Sequence, residues 1–287
     1  MIASGSTSEV VSSGPDWLTV TGARGKKDMT LLVTAAAILD AETSEKSNRK
    51  DWRWNRYSGA AIDGISYGVR DDGCIFRLSG EMALRHWRSA LKHADNCSRF
   101  DVQVTVRITP PDDDVAGAAY VDACAKANEY QAPTHVRAIV HNGRFESVYL
   151  GSRQSSTFGR LYDKYNESEA PEFLGCWRYE VEVKAPLALE LGRRLYTSSQ
   201  PLAAVVGFVH GWFVKRGVEP RFAPGDSGLR VTHLTEPDDD DRAIRWFREQ
   251  VGPVVARVSA NGRRGEALAA LGVGAEVTFT TEAQGGA

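Results

Sequence analysis

Through the first two-thirds of the chain, apolar and polar side chains alternate in one segment after another, the period of strands with a single buried face. DWLTVTG, starting at Asp16, reads as the first such strand. The segment GAAIDGISYGVRDDGCIFRLSG, 59–80, reads as a hairpin turning at Asp71, Asp72 and Gly73. RFDVQVTVRI, 99–108, is a longer strand with Phe100, Val102, Val104, Val106 and Ile108 along one side. THVRAIVH and RFESVYLG flank Asn142-Gly143, the dipeptide favoured in two-residue hairpin turns. Two further strands are expected over 158–164 and 176–184. Helical spacing is expected over 29–41, along the stripe Leu84, Trp87 and Leu91, and from an acidic cap at 112–114 to about Tyr130. Beyond Pro186 the pattern is helical over 187–197, 201–213, 242–259 and 265–271. No internal repeat is evident. These elements predict an α+β fold, with helices packed on one face of an antiparallel sheet and a mostly helical C-terminal region. Residues 1–13, rich in Ser, Gly and Thr, read as a flexible tail, residues 14–200 as the α+β domain and 201–287 as the helical region. In that last region Ile244, Phe247, Val251 and Val255 favour packing, with dimerisation or DNA contact as alternatives.

Alternation also says what faces away from the core. Strand 99–108 leaves Asp101, Gln103, Thr105 and Arg107 on the outer side, and strand 176–184 leaves Arg178, Glu180, Glu182 and Lys184 there. If 158–164 is extended, Arg160, Tyr162 and Lys164 share a face, but Phe158 falls on the same side and leaves its burial direction ambiguous. One reading is a solvated sheet surface with cross-strand ion pairs. The other is a phosphoryl-transfer site: Asp101 with Glu180 or Glu182 offers hard oxygen ligands for Mg²⁺ or Mn²⁺, and Tyr162 attacks phosphorus. Because a free phenol titrates near ~10, the charges of Arg160 and Lys164 would be needed to favour the phenolate.

The chain has 287 residues, 42% of them hydrophobic and 25% charged, enough to bury a sizeable core. A net charge of -2 taken alone argues against a nucleic-acid partner. Local distribution changes that picture. NRKDWRWNRY, 48–57, interleaves Arg49, Lys50, Arg53 and Arg56 with Trp52, Trp54 and Tyr57, while acidic residues concentrate at 112–114 and 238–241. This basic stretch reads either as a loop contacting phosphates and bases or as a solvated turn over packed tryptophans. The spacing of Cys74, Cys97, Cys124 and Cys176 suggests neither a zinc site nor a disulfide framework, so reduced thiols are expected. With no basic-then-apolar leader and no apolar run of bilayer length, the expected location is the cytoplasm, without membrane association.

Five segments carry a resemblance: DWLTVTG, FRLSGEMA, SRFDVQV, YLGSRQSSTFGRLYDK with CWRYEVEVK, and DRAIRWFREQVGPVVARV. The most specific combines Gly151, Ser152, Arg153, Ser155, Arg160, Tyr162, Asp163 and Lys164 with Trp177, Arg178 and Glu180. In these the chain resembles the Rep_trans family, the rolling-circle replication initiators of plasmids and phages, with related conjugative relaxases. The resemblance implies a prokaryotic, sequence-specific nicking and joining enzyme that passes through a 5′-phosphotyrosine with Mg²⁺ or Mn²⁺. It implies Tyr162 as nucleophile, helped by Arg160, Lys164 and Arg178; Asp101, Glu180 and Glu182 as metal ligands; and Ser152, Arg153 and Ser155 beside Arg49, Lys50, Arg53 and Arg56 as DNA contacts. Origin DNA, duplex and single-stranded, a second copy of the chain and a host helicase are the implied partners. The sequence departs from the family's RxDxxxD pattern, because Asp101 is followed by Gln103 and Thr105 with no second aspartate. Tyr165 is a second nucleophile, a stacking platform or a packing residue.

Rival chemistries fit less well. His135 and His141 lie six apart rather than as a His-hydrophobic-His pair, and the GSR segment lacks the GKS/T of a nucleotide-binding loop, reading equally as a turn closing a hairpin. A non-catalytic DNA-binding regulator would keep the basic-aromatic stretch but would not need Tyr162, Asp101 and Glu180 together.

Overall fold

Ten strands pair in one antiparallel sheet in a computed structural model that describes residues 7–23, 26–43, 50–112, 114–129, 135–224, 251–263 and 265–266. In chain order these are β1 (Thr7–Ala23), β2 (Lys50–Trp54), β3 (Tyr57–Ile62), β4 (Ile65–Arg70), β5 (Gly73–Ser79), β6 (Asn96–Thr109), β7 (Val136–His141), β8 (Arg144–Leu150), β9 (Thr157–Asp163) and β10 (Cys176–Lys184). Across the sheet the order is β2-β3-β4-β5-β1-β6-β10-β9-β8-β7. Helices α1 (Lys26–Glu42), α2 (Gly80–Lys92), α3 (Val115–Glu129), α5 (Leu187–Thr197) and α6 (Pro201–Val214) share one apolar core with the strands; α4 (Lys164–Ser168) is a single short turn after β9. The fold is α+β, as the alternation indicates.

That core explains the phase of each strand. Leu18 and Val20 of β1, Phe76 and Leu78 of β5, Phe100 to Ile108 at every second position of β6, and Trp177, Tyr179, Val181 and Val183 of β10 all join it. Their helical partners include Leu31, Ala35 and Leu39 of α1, Trp87 of α2, Leu191 and Leu195 of α5, and Phe208 and Phe213 of α6. Burying each large apolar side chain contributes about 1.5–3 kcal/mol, so a one-residue slip of a central strand would expose several of them at once.

Three sequence expectations need correction. Residues 7–13 are not a tail, because they pair with β6 from Thr109 to Val104 across a bulge between Val10 and Ser12. Backbone groups drive that pairing, so polar side chains do not prevent it. Segment 50–80 contains neither a basic loop nor a single hairpin. It is a four-strand meander turning at Asn55-Arg56, Asp63-Gly64 and Asp71-Asp72. Asn55 and Arg56 both take positive φ, 46° and 69°, the backbone hand that suits a two-residue hairpin turn. The division at 200/201 also fails, since α6 packs on β1, β6 and β10. The first compact unit runs from Met1 to Leu234 and the second from Thr235 to Ala287. Within the second, α7 (Gly252–Ala260) is described, while Ile244, Phe247 and most of 265–271 lie outside the described residues.

Close approach of α6 to β9 depends on one glycine. A Cβ added at Gly159 would collide with the Trp212 ring. Gly159→Ala is therefore expected to lower stability by about 1–3 kcal/mol, read as a shift of the urea midpoint; an unchanged midpoint would mean that the indole moves aside freely.

Candidate active site

Gly159 and Leu161 face the core helices, which settles the ambiguous phase of β9: Phe158, Arg160 and Tyr162 lie on the opposite face. Register then gathers the chemistry. Glu182 of β10 stands opposite Asp101 of β6 and Phe158 of β9; Glu180 stands opposite Gln103 and Arg160; Arg178 stands opposite Thr105 and Tyr162.

The three carboxylates are not on a solvated surface, as one reading of the alternation would have it. Asp101, Glu180 and Glu182 keep only 1%, 2% and 7% of their accessible area. Guanidinium groups cover them. Arg99 Nε donates to both oxygens of Asp101, at 2.9 and 3.1 Å, and its Nη2 pairs with Asp101 and lies 3.2 Å from Glu182 Oε2. Arg160 Nη2 pairs with Glu180 Oε1 and lies 3.7 Å from Asp101 Oδ2. Lys184 Nζ is 3.3 Å from Glu182 Oε1. Tyr162 completes the cluster by donating its hydroxyl to Glu180 Oε2 at 3.2 Å.

Even so, burial outweighs the partners' charge. Burial, opposed by Arg99 and reinforced by Glu180 and Glu182, pushes the Asp101 carboxyl up to about 7. Burial likewise raises the pKa of Glu180, with Arg160 opposing. Tyr162 is raised above the usual phenol range by burial and then by the charge of Glu180, while Arg178 opposes. Arg160 thus does not free the phenolate as the sequence suggests, because its guanidinium is held by carboxylates.

Lys164 departs further from expectation. The strand ends at Asp163, whose Oδ1 accepts from Tyr165 N and Asn166 N and starts α4, so Lys164 belongs to that turn and pairs with Glu167, 5.4 Å over the Phe173 ring. Tyr165 is an exposed residue of the same turn. Arg178 is buried and fixed by Thr105 Oγ1 at 2.9 Å and Asp16 Oδ1 at 3.0 Å. Thr105, two residues beyond Gln103 on β6, therefore acts as an anchor for Arg178.

The expected DNA contacts are dispersed. Ser152, Arg153 and Ser155 form a turn between β8 and β9, closed by Ser155 N donating to Ser152 O at 3.0 Å, and the Arg153 guanidinium lies 5.3 Å over the Phe158 ring. Lys50 and Arg53 are exposed on β2, where alternation puts Arg53 on the face opposite Lys50; Arg56 is exposed in the β2–β3 turn, and Arg49 lies outside the described residues. Sequence reasoning missed Arg99 and Asp16. Alternation alone assigns Arg99 to the face of Asp101, two residues on, whereas Asp16 reaches Arg178 only through pairing of distant strands.

Among the described residues, no three His, Cys, Asp or Glu side chains are gathered so as to hold a metal ion by themselves. Mg²⁺ and Mn²⁺, however, are commonly held through one or two carboxylates with water completing the shell. Asp101 and Glu180 share Arg160, and Asp101 and Glu182 share Arg99, so carboxylate oxygens from two strands converge beneath two guanidiniums. The donor set fits such a cation. No described helix is long and apolar enough to cross a membrane, and the four cysteines are free of disulfides.

No protein-family model matches the chain, and no curated protein matches it. Among solved structures, it is similar to a rolling-circle replication initiator protein from Geobacillus stearothermophilus, with 17% identity, coverage of 71% of this chain and 84% of that one, and a TM-score of 0.46.

An acid that binds its proton more tightly when folded contributes stability that is fully present below its unfolded pKa, near ~3.9, and lost as the pH rises through its folded pKa. For Asp101 that window runs up to about 7. Urea midpoints should fall with pH across this window, and Asp101→Asn should flatten the slope; identical profiles would contradict the burial argument.

Proposed function

We propose that the protein is a sequence-specific DNA nicking and joining enzyme of the rolling-circle initiator type, acting through a 5′-phosphotyrosine. The observation carrying this reading is the 3.2 Å hydrogen bond from Tyr162 to Glu180 within a buried cluster of carboxylates and guanidiniums. The motif resemblance supports it, as do the three adjacent strands that set these side chains on one face.

Tyr162 Oη attacks the scissile phosphorus and its proton passes to Glu180 Oε2, to which the hydroxyl already donates. The Oη–P bond forms as the P–O3′ bond breaks, and the 3′ oxygen takes a proton from water and leaves as a hydroxyl. Joining is the reverse: the 3′ hydroxyl attacks the phosphotyrosine and Tyr162 recovers its proton. Because one ester replaces another, no external energy source is required. Arg160, with its second contact at Asp101, is placed to turn toward the phosphoryl oxygens as charge develops. Arg178, anchored on Thr105 and Asp16, holds positive charge beside the phenol and favours its ionised form. Asp101, Glu180 and Glu182 would hold the Mg²⁺ or Mn²⁺, with water completing the shell. When bound, that ion supplies Lewis-acid stabilisation of the phosphoryl group and lowers the proton affinity of nearby acids.

Labelled single-stranded oligonucleotides from the source element, incubated with protein and Mn²⁺, should give a protein–DNA adduct that survives denaturing electrophoresis. The adduct should fall by about 10³-fold or more in Tyr162→Phe, vanish in EDTA and persist in Tyr165→Phe. Adduct lost in Tyr165→Phe but retained in Tyr162→Phe would overturn the nucleophile assignment; hydrolytic cleavage with no adduct would overturn the mechanism.

Cation binding offers a separate check. Because the ion competes with the proton on Asp101, Mn²⁺ affinity measured by titration calorimetry should rise with pH up to about 7, with proton release to buffer. Asp101→Asn should abolish that release. Mn²⁺ binding of unaltered pH dependence in the variant would place the ion elsewhere.

A further inference from the structure

The face opposite the core helices continues beyond the carboxylates toward β2 and changes character on the way. On β1, Trp17 shares this face with Thr19, to which its Nε1 donates at 2.9 Å, while Leu18 and Val20 go to the core. On β5, Arg77 lies between core residues Phe76 and Leu78 and so points the same way. Trp52 and Trp54 of β2 occupy this side too, and Gly68 provides the clearance, since a Cβ there would come within 2.9 Å of the Trp52 ring. Trp52 and Trp54 stack with centroids 6.4 Å apart, and Trp54 and Tyr57 with centroids 6.2 Å apart.

Guanidiniums link these rings to the site. Arg77 lies 5.0 Å from the Trp17 ring, 5.3 Å from that of Trp54 and 5.8 Å from that of Trp52. Arg99, which pairs with Asp101 and Glu182, lies 4.7 Å from Trp17. Trp17 therefore touches both halves of the face. Arg77 differs from the other arginines here in an informative way: among the described residues it has no ion pair and no hydrogen bond, only ring faces. A partly buried cation without a counter-ion, bordered by indoles of which Trp54 is 46% exposed, matches a polyanion with exposed aromatic rings.

We propose that a single strand of DNA lies across this face, its bases stacking on Trp54, Trp52 and Trp17 and a phosphate resting on Arg77, and runs on to Tyr162. The strand must be unpaired, because stacking on a side chain requires a free base face. It is steered to the aromatic half by charge, since the buried carboxylates begin beyond Trp17. Seven strand intervals of about 4.8 Å separate β2 from β9, roughly 34 Å, at most about ten nucleotides at the ~3.4 Å spacing of a duplex strand. The inference rests on the nicking reading for its destination at Tyr162, but the track can be tested without cleavage.

The experiment uses the full chain in EDTA, with fluorescein-labelled mixed-sequence oligonucleotides of 4 and about 12 nucleotides, read by anisotropy and by tryptophan fluorescence. The longer strand should bind at least about tenfold more tightly and quench the tryptophans, whereas duplex of equal length should not quench. Trp54→Ala and Arg77→Gln should each weaken the longer strand by about 5- to 150-fold, the range of one stacked base, with Trp54→Phe retaining most of the affinity. Trp54 is exposed enough to replace without unfolding the sheet, so Trp54→Ala decides even if Arg77→Gln misfolds by circular dichroism. No advantage of length, equal quenching by duplex, or wild-type affinity in Trp54→Ala would overturn the track. Length-dependent, Trp54-dependent binding without any covalent adduct would sink the nicking reading and leave the track; adduct formation without these binding effects would do the reverse.

Discussion

Three carboxylates buried among two guanidiniums and an ammonium set the terms for the rest of this molecule. Removing a charge from water costs several kcal/mol unless opposite charge and hydrogen bonds are held in place around it. Here the holding is done by strand register: Asp101 comes from β6 and Glu180 and Glu182 from its neighbour β10, while Arg99 reaches them from β6 and Arg160 from β9 on the other side of β10. Helix packing on the far side matters to the chemistry chiefly because it fixes the phase of β6, β9 and β10. Were any of these strands to shift by one residue, the charged set would turn into the apolar core.

The same cluster illustrates why buried ionic groups are better evidence of chemistry than of stability. An apolar replacement of similar volume would often serve folding equally well. Keeping acids whose proton affinity is raised, beside a phenol whose proton is also held tightly, makes sense where a cation or a phosphate is to be received.

Much of this was legible in the sequence, because period-two alternation is a direct image of a half-buried strand. RFDVQVTVRI and CWRYEVEVK place their outward residues as the alternation demands, and Asn142-Gly143 turns the β7–β8 hairpin with both residues at positive φ. What alternation cannot convey is depth. Nothing local in Glu180 or Glu182 distinguishes a carboxylate in water from one beneath an arginine, since the covering group comes from another strand. Strand ends were likewise obscured: Lys164 continues the alternation of β9 on paper, but the Asp163 carboxylate caps the following turn and takes Lys164 out of the sheet. Residues 7–13 misled for the converse reason, their polar composition concealing a backbone partner nearly a hundred residues away.

That first half of β1 carries an implication for handling the protein. The 104–109 end of β6 has a neighbour on that side only because residues 7–13 accompany it, with Ser12 Oγ accepting from the buried Gln103 as well. A chain trimmed to begin at Pro15 would leave the 104–109 stretch with a bare row of amide and carbonyl groups on one side, a sticky seam along which two molecules could zip together.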